Sequence, residues 1–421
     1  MSKPLLFRSA AELLESVLSS HQGADKQMER FFRDHPMLGR SDRGFVAETV
    51  YGCLRHRRSL TYLLDKDPAS AQDLVAAYLL TEAGFSARAL AEADPRLPGP
   101  DLATLAARAR NPGADLPLGV RSDLPDWLLH RLISQYGEAG TLELAAGLNR
   151  PASVDLRVNT LKADRTAVAG RLAAEGYTVA PTPWSTLGLR SRDRAPLFGT
   201  AAFRDGWFEI QDEGSQLSGM LLEPRRREMV VDFCAGAGGK TLQLGAMMAN
   251  SGTIYALDVS RQRLERLKPR LRRAGLDNVR LITISHERDS RIQRLQGKID
   301  RVLVDAPCTG TGTLRRNPDI KWREPDLAEL VATQKRVLAA AATLVKPGGR
   351  LVYVTCSLLR EENDDVVGEF RARHPEFQPQ PAAEILARRG TNISMDDDAL
   401  RLYPHRHNTD GFYAMALDRT R

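Results

Sequence analysis

Hydrophobic and polar positions along the chain fall into three successive rhythms. Over residues 1–140 apolar side chains recur at three- and four-residue intervals, as in Ala11-Glu12-Leu13-Leu14-Glu15-Ser16-Val17-Leu18 and Phe45-Val46-Ala47-Glu48-Thr49-Val50-Tyr51-Gly52-Cys53-Leu54, the period of amphipathic helices. Asp42 precedes the first apolar positions of the second run and is placed to cap it. Asp94–Pro100 and Asn111-Pro112-Gly113 read as loops. Over 145–222 the pattern changes. Val154–Asn159 alternates as a strand, Asp164 can cap a helix running to Gly176, and Tyr177-Thr178-Val179 reads as a second strand, which together suggest a small α+β domain. Over 223–421 apolar strands alternate with helical segments: Met229–Phe233, Thr253–Leu257, Val279–Ile284, Arg301–Val304, Arg350–Val354 and finally Gly411–Leu417. This is the sequence form of an α/β fold with a doubly wound parallel sheet. Pro269 conflicts with the helix around it and is expected to kink or split it.

The chain has 421 residues, 42% of them hydrophobic and 27% charged, enough to build two or three domains. A net charge of +7 permits a polyanionic partner. The basic run from Arg261 to Arg273 reads first as a solvated helix face. A second group, Arg315, Arg316, Lys321 and Arg323, is more suggestive because it follows Cys308 closely. The four cysteines, Cys53, Cys234, Cys308 and Cys356, form no C-x-x-C pair, and the histidines show no ligand spacing, so no zinc site is expected. So few cysteines suit reduced thiols in the cytoplasm. No signal-peptide core and no membrane-length apolar run occurs.

A glycine-rich stretch, Asp232-Phe233-Cys234-Ala235-Gly236-Ala237-Gly238-Gly239-Lys240-Thr241, follows a strand and opens a helix. Its glycines admit positive φ and close ligand approach, and the helix start offers free amides. A P-loop would need glycine where Cys234 stands, and a dinucleotide fingerprint would need a small third residue where Thr241 stands. Asp258 ends the next strand at the spacing of a ribose-binding acid. An adenosyl cofactor without a pyrophosphate fits this combination.

Downstream, Cys308 in Val304-Asp305-Ala306-Pro307-Cys308 and Cys356 in Tyr353-Val354-Thr355-Cys356-Ser357 occupy two strand ends. Carbon 5 of cytosine is a poor nucleophile. Thiolate attack at carbon 6 makes carbon 5 enamine-like, so that it can take a methyl group from a sulfonium. A base must then remove the carbon-5 proton before the thiol leaves. Asp305 is placed to stabilise the adduct near ring nitrogen 3, and partial burial would raise its pKa as that role needs. Spacing does not decide which thiol attacks. Cys53 and Cys234 read as structural, with Cys234 lending backbone to the loop.

Asp305–Trp322, Thr355-Cys356-Ser357 with Glu361-Glu362-Asn363, and Lys346-Pro347-Gly348-Gly349 together resemble the Sun/RsmB family of RNA cytosine-5 methyltransferases. Phe208–Gln216 looks like that family's entry into the catalytic domain, and Arg157-Val158-Asn159-Thr160 like the start of its RRM-like domain. Asp42–Phe45 with Val50–Arg55 resembles the NusB-like helical domain of the bacterial RsmB branch. The resemblance implies a NusB-like RNA-binding domain over 1–140, an RRM-like domain over 145–222, and a Rossmann-like class I methyltransferase domain over 223–421. It implies S-adenosyl-L-methionine as cofactor and RNA, most of all small-subunit ribosomal RNA, as substrate, with no metal and no membrane. It makes Cys356 the nucleophile and gives Cys308 a part in product release. It places cofactor contacts on Cys234, Ala235, Gly236, Ala237, Gly238, Gly239, Lys240, Asp258 and Asp305. Pro404, Asp410, Gly411 and Phe412 match a C-terminal motif that supports the active-site floor. One departure stands out: Ile284-Ser285-His286-Glu287-Arg288-Asp289 replaces the family's Gly-Asp, so the usual acid falls near Ser285 or His286. Two other readings compete. A non-enzymatic RNA-binding assembly factor with a decayed site would not bind the cofactor. An amine or protein methyltransferase would not need Cys356.

Overall fold

The spacing of Phe7, Ala10, Leu14 and Val17 lays one apolar face along the helix Lys3–Leu18, and all four are buried. They share a core with Val46, Val50, Cys53 and Leu54 of helix Arg40–Arg55 and with Leu74, Val75 and Ala77 of helix Ala71–Thr81. The computed structural model describes residues 3–20, 22–93, 102–111, 115–193 and 196–420. It divides into two units, one of Met1–Pro151 with Thr313–Pro325, the other of Ala152–Gly312 with Asp326–Arg421. The loop expected at Asp94–Pro100 lies outside the described residues, as do Pro112 and Gly113. Asp42 is not an N-cap. The helix starts at Arg40 after Gly39, and Asp42 in its first turn accepts the Gly39 N–H at 3.0 Å, the returning half of a capping box.

The segment Thr313–Pro325 belongs to the helical unit. Lys321 is fully buried there, its Nζ donating to Arg55 O at 3.0 Å, Asp123 O at 3.2 Å and Asn149 Oδ1 at 2.5 Å. Trp127 Nε1 donates to Lys321 O at 2.9 Å, and Trp322 Nε1 to Leu54 O at 2.6 Å. Arg315 is buried too, and Arg323 pairs with Asp319. The basic group after Cys308 therefore does not form a phosphate-facing stripe, because Lys321 and Arg315 are consumed by internal acceptors.

Burial pushes Lys321 down to about 7, Arg55 adding to the effect and Asp123 opposing it. An unfolded lysine titrates near ~10.4. Between these values the unfolded chain holds the extra proton, so this contribution makes folding more favourable as pH rises, by up to about 1.4 kcal/mol per pH unit. The melting-temperature advantage of wild type over Lys321→Met should widen between pH 7 and about pH 9.5. A gap that stays constant would contradict this assignment.

In the second unit, β1 (Asp155–Val158), β2 (Val179–Pro181), β3 (Gly188–Ser191) and β4 (Phe208–Ile210) form an antiparallel sheet in the order β2-β3-β1-β4. The helix Arg165–Ala174 crosses between β1 and β2, and the Asp164 side chain caps it by accepting the Ala167 N–H at 2.8 Å. Leu156, Val158, Val168, Leu172, Leu189 and Phe208 fill the core of this α+β module.

The large sheet contains β5 (Met229–Asp232), β6 (Thr253–Asp258), β7 (Val279–Thr283), β8 (Ile299–Asp305), β9 (Val345–Thr355), β10 (Phe377–Gln380), β11 (Leu400–Leu402) and β12 (Phe412–Arg419). Its order is β10-β12-β9-β8-β5-β6-β7, with β11 paired to β12. The pairs β5–β6, β6–β7, β5–β8 and β8–β9 are parallel, while β12 runs antiparallel to β9. The order reverses at β5, which places the loops after β5 and β8 on either side of a topological switch point. Pro269 does not split its helix, which runs unbroken over Arg261–Ala274. Leu264, Leu267, Leu271 and Ala274 hold the inner face against Ala235 and Leu242, and this packing outweighs the missing hydrogen bond.

Candidate active site

The glycine-rich loop leaves β5 at Asp232 and enters the helix Gly239–Met247. Gly236 (φ 55°) and Gly238 (φ 85°) both take the left-handed conformation. A Cβ on Gly238 would collide with Leu267, whereas one on Gly236 would meet open space. One glycine thus lets the loop pack down, and the other leaves room on its open side. Asp258, at the end of β6, is buried and accepts the Gly236 N–H at 2.8 Å and the Ser260 N–H at 2.7 Å.

Beneath the loop, Asp232 is buried, with Oδ2 accepting from Thr241 Oγ1 at 2.6 Å and Oδ1 without a protein partner. Burial pushes its carboxyl up to about 7, against the Thr241 hydrogen bond and with the help of Asp305. Lys240 Nζ reaches Asp305 Oδ2 at 2.7 Å and lies 5.3 Å from the centroid of the Phe412 ring. Asp305 is therefore an ion-pair partner of Lys240. Three carboxylates and one ammonium around an open glycine loop suit a ligand that carries cationic groups and ribose hydroxyls. S-adenosylmethionine meets that description with its ammonium and sulfonium, and Asp232 Oδ1 is a buried acceptor still available beside it.

The small sheet braces this loop. Arg157 of β1, fully buried, donates from Nη1 to Gly239 O at 2.6 Å and to the Gln211 amide oxygen. Arg270 donates to Ala237 O at 2.5 Å and, with Arg273, pairs with the buried Glu209 of β4. The basic helix thus turns part of its charge inward, and only part of it is a solvated face.

Cys308 and Cys356 follow the adjacent parallel strands β8 and β9, and their Sγ atoms lie 3.4 Å apart. Both are partly exposed. The hydrogen bond with Cys356 pushes the Cys308 thiol well up, with burial and the nearby charges of Cys356 and Glu362 adding to it. Gly312 N–H donates to Cys356 O at 2.8 Å and Gly411 N–H to Gly312 O at 2.8 Å, so the residues just before β12 lock the two cysteine loops from below. Asp410 N–H bonds Asp212, and Pro404 opens the helix Pro404–His407.

Cys53 is fully buried in the helical core, its Sγ 3.5 Å from Leu74 O. Burial pushes the Cys234 thiol well up as well. Where the family's Gly-Asp is replaced, Asp289 folds back. Its carboxylate accepts from Ser285 N and Ser285 Oγ, each at 2.9 Å, and pairs with Arg291. Sequence reading passed over Asp232, Arg157, Gln211 and Glu209 as site-supporting residues. Asp232 had a signal, since it is the last residue of the strand that feeds the glycine loop. The other three are linked to the loop only through the fold. Among the described residues no cluster of metal-ligating side chains occurs, and no helix is long and apolar enough to cross a membrane.

A parallel sheet with this strand order, an antiparallel final strand inserted beside β9, and an acid-rimmed glycine loop at the switch point define an S-adenosylmethionine-dependent methyltransferase. Residues 219–418 match the family model described as 16S rRNA methyltransferase RsmB/F, and residues 124–196 that of an RsmF/B-like ferredoxin-like domain. The chain is 32% identical to the "Probable ribosomal RNA small subunit methyltransferase B" of Synechocystis sp. over 96% of this chain and 97% of that one. It is 33% identical to the Bacillus subtilis protein of the same name, over 71% and 67% of the two chains. A crystal structure of the protein PH0851 is similar over 99% of both chains, with TM-score 0.80 and 26% identity. The chain belongs to the RsmB/F methyltransferase family.

Proposed function

We propose that this enzyme methylates carbon 5 of a cytosine in small-subunit ribosomal RNA through a covalent adduct between Cys356 and carbon 6. The observation that carries this reading is the pair of thiols 3.4 Å apart at the ends of two adjacent parallel strands, one strand removed from the cofactor loop. A methyltransferase that acts on an amine has no use for two such thiols. The names of the relatives support the ribosomal RNA substrate.

The bound cofactor supplies a methyl group on a sulfonium. The glycine loop from Cys234 to Lys240 would hold it through backbone amides, and Asp258 would accept from its ribose hydroxyls. Cys356 Sγ bonds to carbon 6, and carbon 5 becomes nucleophilic and gains the methyl. A base takes the carbon-5 proton, the Sγ–C6 bond breaks, and the ring regains aromaticity. Thiolate addition leaves charge on ring nitrogen 3, and Asp305 at the end of β8 would stabilise the adduct there by sharing a proton with that nitrogen. A thiol held protonated at Cys308 can donate to Cys356 Sγ, which fits attack from Cys356 and help with its release from Cys308. The target base must be unpaired or flipped to reach these groups.

Small-subunit ribosomal RNA incubated with the enzyme and isotopically labelled cofactor should gain label at a cytosine, read as 5-methylcytosine by bisulfite sequencing. Label on another base or on protein alone would refute the reading. Asp258→Ala should raise the cofactor dissociation constant about 10- to 100-fold, from the loss of a charged hydrogen-bonding group that also fixes Gly236. Titration calorimetry giving an unchanged constant would remove Asp258 from the site.

A further inference from the structure

Glu362 closes the short turn Arg360–Glu362 behind Cys356 and is fully buried. Its Oε1 accepts from Thr309 N at 2.8 Å and Gln334 Nε2 at 2.9 Å. Its Oε2 accepts from Thr309 Oγ1 at 2.6 Å and from the Ser357 hydroxyl. Among the described residues no lysine or arginine pairs with it; four donors satisfy the carboxylate instead. Gln334 Nε2 also donates to Pro307 O at 2.9 Å.

Thr309 follows Cys308 directly, and Ser357 follows Cys356 directly. One carboxylate therefore ties together the residues next to both thiols, and through Gln334 the residue before Cys308. The turn itself is clasped: Tyr353 Oη donates to Glu362 O at 2.7 Å, and Asn363 Nδ2 to Ser357 O at 3.0 Å. A buried carboxylate without a cation is costly to keep. A fold that needed only to fill this space would be served by an uncharged side chain.

We propose that Glu362 is the positioning residue that sets the separation and mutual orientation of the Cys308 and Cys356 thiols. This rests on the reading that both thiols act on the base, but the geometry it asserts can be tested without any RNA.

The test uses Glu362→Gln and Glu362→Ala in the full chain. In Glu362→Gln the side-chain carbonyl can still accept from Thr309 N and Gln334, while the two rotatable hydroxyls turn to accept from the new amide. This variant should keep kcat within about tenfold of wild type. Glu362→Ala should lose at least about 100-fold in kcat, the scale of a reacting group displaced by about 1 Å, with cofactor affinity within about twofold of wild type.

Oxidation of the Cys308–Cys356 pair by diamide, a two-electron thiol oxidant, followed by peptide mass spectrometry, reads the thiol geometry directly. Wild type and Glu362→Gln should form the disulfide at similar rates, and Glu362→Ala about tenfold or more slowly. Three outcomes overturn the proposal: wild-type oxidation in Glu362→Ala, equal losses in both variants, or a loss in Glu362→Ala matched by lost cofactor binding. If wild type methylates no cytosine, the functional reading fails, and the oxidation rates alone decide the role of Glu362.

Discussion

Replacing Cys356 by alanine abolishes methyl transfer, by at least about 10⁴-fold in kcat, the scale seen when a covalent nucleophile is removed. The cause is local. Cys356, partly exposed just after β9, only flanks the apolar core, so alanine removes a single sulfur atom there, while its backbone carbonyl still accepts from Gly312. Cofactor affinity should stay near wild type, because Asp258 and the glycine loop lie two and more strands away in the sheet order. Single-turnover assays with labelled cofactor measure the first effect and calorimetry the second. Retained turnover with bound cofactor would remove Cys356 as nucleophile and favour amine or protein methylation.

The second large effect has the opposite sign. Cys308→Ala removes the thiol 3.4 Å from Cys356 but leaves the attacking group in place. Attack and methyl transfer proceed, and elimination stalls. The protein should accumulate as a covalent RNA adduct, and steady-state kcat should fall about 10²-fold or more, the range of a lost acid–base partner. The neighbouring hydrogen bond is also the largest cause of the raised Cys308 pKa, so the two variants are expected to be strongly non-additive.

Much of this fold can be read in the chain because its signals are local. Asp164 caps its helix as its position ahead of an amphipathic run requires. The strands that became β5 to β9 are apolar runs bounded by turn residues, and β12 follows Gly411 as its pattern suggests. The failures are of a different kind. Asp42 resembles an N-cap, but a glycine three residues earlier takes that place and leaves Asp42 to bond it from the first turn. Pro269 argues for a break that the buried leucines around it suppress. The short β10 and β11 escape a pattern search because three or four residues carry too little periodicity, and they exist only through their antiparallel pairing with β12.

The candidate site divides in the same way. Cys308 and Cys356 are 48 residues apart, yet each sits at the end of an apolar run, so their convergence follows from strand adjacency. Lys321 is the counterexample. In the chain it belongs to a basic group that suggests phosphate contacts, and in the fold it is a buried staple of the helical unit. Glu362 and Gln334 are ordinary residues of a turn and a helix until the fold brings them to Thr309 and Ser357. Hydrogen bonds between distant segments leave no periodicity behind, and single-residue chemistry does not reveal them.

The most direct test of the covalent mechanism is a denaturing gel of wild type, Cys308→Ala and the Cys308→Ala/Cys356→Ala double variant expressed in a bacterial host. A slow-migrating, RNase-sensitive band is predicted for Cys308→Ala alone, lost in the double variant. A band that persists without Cys356, or its absence from Cys308→Ala when the purified variant is supplied with small-subunit ribosomal RNA and cofactor, would contradict the assignment of the two thiols.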